Sequence, residues 1–379
     1  MPCRDPRTLV SLLLPLSLAA CGGESNDGAA PESTVPDAAT GGAQSPDALS
    51  TADAAPPADA GVVDGSRPDA ALLPESDAAL LPESDAARGD PDVLVGAFQV
   101  LLTPAAAATA ITPEVFAQTS VFGRVQDGPT PELVRWTEVS TAGGCRLLTP
   151  SVPFCEAPCG GSAACVDEEV CQPYPASLDV GPITVTGLDT GDGAEAFTIE
   201  PVASNYQRSG LPYPAFAEGA AVRFEAAGGP SGVGAFTLAA TGIGTLTLTS
   251  PPLELAAGAP ATLTWTPPTR AEASEILVRL DISHHGGTNG KIECVVPDSG
   301  SLTLSAPLLD ALRALGAAGF PTVIVTRRAT GSAVIAPGRV DLWLLSTVEQ
   351  AVIIPGLTSC TADEDCPAGT TCQPDLQCQ

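Results

Sequence analysis

The sequence predicts a mainly β fold: one or two antiparallel β-sandwich domains with small disulfide-stapled modules and one short helix. Three observations carry that expectation. Short β-branched and apolar runs alternate with polar residues between Gly, Pro, Asp and Asn punctuation, ten cysteines recur in a partly repeated frame, and one segment spaces its leucines as a helix would.

The first 20 residues read as an export signal. Arg4 and Arg7 precede an apolar run from Leu9 to Ala20, about 12 residues long and short of the roughly 20 that a helix needs to cross a bilayer. The run closes on Leu18-Ala19-Ala20-Cys21-Gly22-Gly23, which resembles the lipobox of bacterial lipoproteins. The resemblance implies that the Cys21 thiol takes a diacylglyceryl group, that residues 1–20 are removed, and that Cys21 becomes the acylated N-terminus. Three acyl chains would hold the protein on a membrane durably, where a single chain is marginal. Gly22 in place of a retention aspartate implies the outer membrane by the same resemblance. The expected location is the cell envelope, lipid-anchored and either periplasmic or surface-exposed. The alternative is an ordinary secretory signal in which Cys21 has no role.

Residues 21–93 are expected to be a disordered acidic linker. Between residues 22 and 93 stand 15 acidic side chains against Arg67 and Arg88, with no aromatic residue, so the segment cannot bury enough apolar surface to offset its conformational entropy. The tandem octapeptide Asp69–Ser76 and Asp77–Ser84 contains a proline in each copy and is too short for a solenoid unit. A flexible chain of this length averages roughly 45 Å end to end, and charge repulsion stretches it. It would hold the folded part clear of the membrane.

The texture changes near Val93. Residues 94–180 are expected to form a β-rich region with a first cysteine module, 181–358 a β-sandwich, and 359–379 a C-terminal cysteine-rich module. Alternation is plain at Ile183–Thr186, Ala196–Ile199, Val222–Glu225, Phe236–Leu238, Thr245–Thr249, Thr262–Thr266, Ile276–Ile282 and Thr322–Thr326. Strands with polar residues at every second position pack one face only, as sandwich strands do. Ser305 can cap the helix, Pro307 suits its first turn, Leu308, Leu309, Leu312 and Leu315 form its stripe, and Gly316 can end it.

Ten cysteines follow the linker: Cys145, Cys155, Cys159, Cys165, Cys171, Cys294, Cys360, Cys366, Cys372 and Cys378. An even number in an exported chain predicts five disulfides. Cys159-x5-Cys165-x5-Cys171-Gln-Pro and Cys360-x5-Cys366-x5-Cys372-Gln-Pro share a frame, completed by Cys155 upstream of the first and Cys378 downstream of the second. Each module is expected to close within itself, which leaves Cys145 and Cys294 to each other by elimination. Zinc is not expected, because an x5 spacing lacks the close ligand pairs of zinc sites. The tail Cys360-Thr-Ala-Asp-Glu-Asp-Cys366-Pro-Ala-Gly-Thr-Thr-Cys372 resembles modules of large exported lipoproteins of myxobacteria and their relatives. Cys294-Val-Val-Pro-Asp-Ser-Gly-Ser-Leu-Thr-Leu is similar to immunoglobulin-like segments of the same proteins. The resemblance implies an immunoglobulin-like sandwich and carries no common activity.

The folded part keeps a formal charge of about −16 once the linker's −13 and the leader's +1 are set aside from the chain's −28. Lys291 is the only lysine, so no basic stripe exists to neutralise phosphates and nucleic acid is not an expected partner. Gly229-Pro-Ser231-Gly-Val233 misses the G-x-S-x-G elbow at its last position. Gly286-Gly-Thr-Asn-Gly290-Lys291 lacks the first glycine of a phosphate loop, which is His285, and no helix is expected to follow it.

His284 and His285, the only histidines, read as a polar hairpin loop between two strands, the alternative being a metal site with Asp281 or Glu293. Asp189, Asp192 and Glu195 read as a solvated turn, with calcium as the alternative. Trp265 is expected in the core. Tyr206, Tyr213 and Phe216, in the proline-rich loop, are expected to form an exposed patch and to be the first binding surface. The expectation is a noncatalytic binding or structural module with an unknown protein or glycan ligand and no cofactor or metal. The rival is an extracytoplasmic hydrolase, for example a glycosidase, that uses a pair of carboxylates.

Overall fold

The computed structural model describes residues 89–106, 114–270, 273–287 and 289–379. Cys21 and the octapeptide repeats lie outside them.

The strands in chain order are β1 (Leu94–Thr103), β2 (Gln118–Gln126), β3 (Arg135–Ala142), β4 (Cys145–Ser151), β5 (Ala163–Asp167), β6 (Val170–Pro173), β7 (Ser177–Leu178), β8 (Ile183–Thr186) and β9 (Ala196–Ile199). They continue as β10 (Asn205–Leu211), β11 (Ala221–Ala226), β12 (Phe236–Thr241), β13 (Ala261–Thr264), β14 (Glu275–Asp281), β15 (Lys291–Pro297), β16 (Ser301–Leu304), β17 (Thr322–Val334) and β18 (Arg339–Ala351). Helix α1 is Ala306–Arg313. A ten-stranded sheet runs β10-β2-β1-β18-β17-β14-β15-β4-β3, with β7 also paired to β2. A four-stranded sheet, β12-β11-β8-β9, and two small sheets, β13-β16 and β5-β6, complete the set. Pairing within these sheets is antiparallel except for β1 with β18. The fold is mainly β with one α-helix among the described residues, as the alternation predicts.

The long sheet supports two hydrophobic cores. In the first, Phe98, Val100 and Leu102 of β1 and Val340, Leu342 and Leu344 of β18 pack with Val185, Phe224 and Leu238 of the four-stranded sheet. In the second, Ile276, Val278 and Leu280 of β14 and Val323 and Val325 of β17 pack with the helix leucines and with Leu263 and Leu304 of β13 and β16. The β17–β18 hairpin is continuous from Thr322 opposite Ala351 to Val334 opposite Arg339, and it serves both. On β17, Val325 belongs to the second core and Ala329 to the first. Strands from 94–180 and from 181–358 therefore share one sheet, since β1 pairs with β18 and β4 with β15.

The helix follows its sequence signals with one difference. Leu308, Leu309 and Leu312 are buried and Pro sits in the first turn, but the Ser305 side chain makes no capping hydrogen bond. Thr245–Thr249 does not form the expected strand; only an isolated bridge joins Leu248 to Trp265. Thr247 and Thr249 bond to the Thr266 N–H and the Thr264 carbonyl on either side of that bridge, but the backbone just before them is committed elsewhere. The Gly244 and Thr245 carbonyls accept hydrogen bonds from Arg327, and the Leu246 N–H donates to Ser346 Oγ, so no ladder can run through them.

Candidate functional site

All ten cysteines of the described part are paired: Cys145–Cys294, Cys155–Cys165, Cys159–Cys171, Cys360–Cys372 and Cys366–Cys378. Each module closes on itself, and the long-range pair joins directly opposed residues of β4 and β15 with Cα atoms 4.0 Å apart. Clusters of three potential metal ligands within 4.8 Å of one another are Cys155/Cys159/Cys165 and Cys360/Cys366/Cys378. Their sulfurs are held in disulfides and present no thiolate to an ion.

The expected aromatic surface patch is corrected. Tyr206 is 1% exposed and Phe216 6%, and Tyr213 is partly buried against the first core. The reason is the pairing of β10 with β2: Tyr206 stands opposite Gly123, where any side chain would collide with the Phe98 ring. The Tyr206 and Phe98 rings fill that space, 5.4 Å between centroids. The phenol is satisfied by the Val180 N–H, which donates to Tyr206 Oη at 3.0 Å, and burial pushes its pKa up. Proline-rich sequence around these residues signalled a loop; it did not signal which way the side chains point.

The histidines lie in a tight turn between β14 and β15. His285 has φ 62°, a left-handed conformation that swings its ring back onto that of His284, 4.0 Å between centroids. His284 is half-buried, and burial, followed by the neighbouring His285, holds its pKa below the ordinary value. The two acids considered as co-ligands are occupied. Asp281 accepts from the Ser283 N–H and hydroxyl. Burial pushes the Glu293 carboxyl up, but Lys291 and Arg146 outweigh it and hold the pKa below its usual range.

Other sequence candidates are structural. Asp189 accepts from the Gly191 N–H, and Asp192 from Thr190 and the Ala194 N–H, in an exposed turn. Ser231 Oγ accepts from the Asp179 N–H at 2.8 Å. The segment after Gly286–Gly290 continues as strand β15.

Two open clefts flank β3 and β4. One, of about 280 Å³, is lined by Arg135, Phe154, Asp167, Glu168 and Glu169 among others. The other, of about 400 Å³, lies along Glu138, Gly143, Gly144 and Arg146. Two of the three acids of the first are engaged: Asp167 pairs with Arg135, and Glu169 accepts from the Glu156 N–H.

The buried ionic cluster was not anticipated. Asp298 accepts from Arg327, from Trp265 Nε1 at 2.7 Å and from Ser274 Oγ at 2.8 Å. Trp265, 2% exposed, is in the core as expected. Nothing local distinguishes Asp298 from the many surface aspartates of an acidic chain; an arginine inside an alternating apolar strand was the available signal.

No protein-family model and no curated protein matches this chain. Among solved structures it is matched to the FN1-FN3 domains of chicken CNTN1, at 10% identity over 62% of this chain and 78% of that one. The TM-score is 0.19, and at that value the likeness carries no argument.

Proposed function

We propose that this chain is a noncatalytic, lipid-anchored cell-envelope protein that acts as a binding or structural module. In this reading Cys21 is the acylated N-terminus, the acidic linker spaces the folded part from an outer membrane, and the ligand meets the sandwich. The observation that supports the reading most is the disulfide set. Five bridges that consume every cysteine of the described part suit an oxidising compartment outside the cytoplasm, where a lipobox would send the chain. The clefts favour a module over a hydrolase. They are open, and at the first Asp167 is tied to Arg135 and Glu169 to backbone, which leaves Glu168 alone, whereas a carboxylate pair for hydrolysis needs one free acid and one free base.

Detergent-phase partitioning tests the anchor. The wild-type protein should enter the detergent phase and Cys21→Ser should remain in the aqueous phase or as precursor, because serine cannot form the thioether. Identical partitioning of the two proteins overturns the proposal.

A further inference from the structure

The linker feeds an interior strand. β1 lies between β2 and β18 in the ten-stranded sheet, whose outer strands are β10 and β3, and eight of its residues are registered to each neighbour. Val95, Phe98, Val100 and Leu102 of β1 are at most 1% exposed, so the strand cannot leave without carrying four core side chains into water. The chain is fastened before β1 begins. The Gly89 N–H donates to the Ile335 carbonyl and the Arg339 N–H to the Val93 carbonyl, each at 2.8 Å, and Arg339 Nη1 donates to the Pro91 carbonyl at 3.0 Å. A Cβ at Gly89 would stand 2.2 Å from the Gly338 nitrogen, so the backbone here lies directly on the turn between β17 and β18. Asp341 holds the Arg339 guanidinium in place.

The chain that follows β18 leaves from the other end. Leu94 stands opposite Arg339, the first residue of β18. From there β18 runs 13 residues to Ala351, a span of roughly 40 Å at about 3.3 Å per residue. Ala351 is opposite Thr322, and just beyond it Gly319 holds the tail module: its N–H donates to the Asp375 carbonyl, and its carbonyl accepts from Ser359 Oγ and Gln377 Nε2. A pull between the linker and the tail-module end therefore runs along β1 and β18. Two parallel strands whose free ends leave at opposite ends can only slide past each other, and the ladder bonds, which lie across the strands, are loaded together. Antiparallel β2 adds a second ladder on the other flank, where an edge strand would share the pull with one neighbour alone. We infer that β1 is a load-bearing strand, which lets the folded part carry tension between its linker and the opposite end of the sheet. The inference goes beyond the binding reading and rests on one part of it, the linker as the held end.

Single-molecule force spectroscopy of the full chain, its disulfides intact, tests this by pulling the same protein in two directions. The first geometry places covalent handles at the N-terminal end of the linker and at Gln379. The second keeps the linker handle and moves the other to a clickable residue at exposed position 336, in the turn between β17 and β18, so that β1 is peeled from β18 starting at Leu94. At one pulling speed the first geometry should rupture at a force at least about twice that of the second, because a ladder loaded across its bonds shares the pull. Equal forces in the two directions, or a weaker first geometry, overturn the load-bearing strand. Covalent handles make the result independent of Cys21 acylation: equal forces leave the anchor standing, and identical detergent partitioning of wild type and Cys21→Ser removes the anchor without touching the force ratio.

Discussion

Arg327 and Asp298 form an ion pair between side chains 2% and 0% exposed, at the point where the two cores meet. All the guanidinium N–H groups have acceptors: both oxygens of Asp298 and the carbonyls of Gly244, Thr245 and Thr266. The carbonyl partners Gly244 and Thr245 lie between Ile243 of the first core and Leu246 of the second. The pair therefore ties the middle of β17 to the chain that passes from one core to the other.

Removing one member strands the other charge in the interior. Asp298→Ala and Arg327→Met should each destabilise the fold by about 3 to 5 kcal/mol, and the double variant by clearly less than the sum of the two. Equilibrium urea unfolding measures all three. Additive losses would show that the two groups act independently.

The long-range bridge closes a separation of 149 residues, against 12 for Cys360–Cys372. In the chain-entropy model these loops are worth about 5 and about 3 kcal/mol. Replacing both Cys145 and Cys294 with alanine should lower stability more than the corresponding double replacement in the tail module, read by the same unfolding titration. The reverse order would show that the module bridge carries the fold.

Acid should weaken the protein in two stages. The pKa of His284 is lowered in the fold, so below the ordinary histidine value near 6.5 the unfolded chain binds the proton first and stability falls with pH until the folded-state value is passed. The groups around it are His285 and Arg279, which oppose its protonation, and Glu349 and Asp281, which favour it. Glu293 has a lowered pKa; its contribution is present above the ordinary value of 4.5 and is lost as pH falls through the folded value. His284→Asn should flatten the fall in melting temperature between about pH 7 and pH 5 and leave the later one. An unchanged slope in that window would remove His284 from the explanation.

Deleting residues 69–84 removes both octapeptide units and should leave the melting temperature of the folded part unchanged, since a segment of that composition has no core to contribute. A shift of several degrees would mean that it docks.

Local chemistry was legible and long-range pairing was not. The period-2 alternation located strands such as β8, β14 and β17, the x5 frame foretold both modules, and elimination paired Cys145 with Cys294. Thr245–Thr249 alternates as well as any of them. Its pairing stops at a single bridge because Arg327 and Ser346, from strands some 80 to 100 residues away, take the backbone groups at its start. Tyr206 illustrates the same limit, because its burial depends on Gly123 and Phe98 of other strands.

The central claim is the anchored, exported state of the chain, and intact mass analysis of the mature protein taken from membranes tests it most directly. The account predicts an N-terminal peptide that begins at acylated Cys21, with residues 1–20 absent and every later cysteine in a disulfide. A mature N-terminus at any other residue, or an unmodified Cys21 thiol, would contradict it.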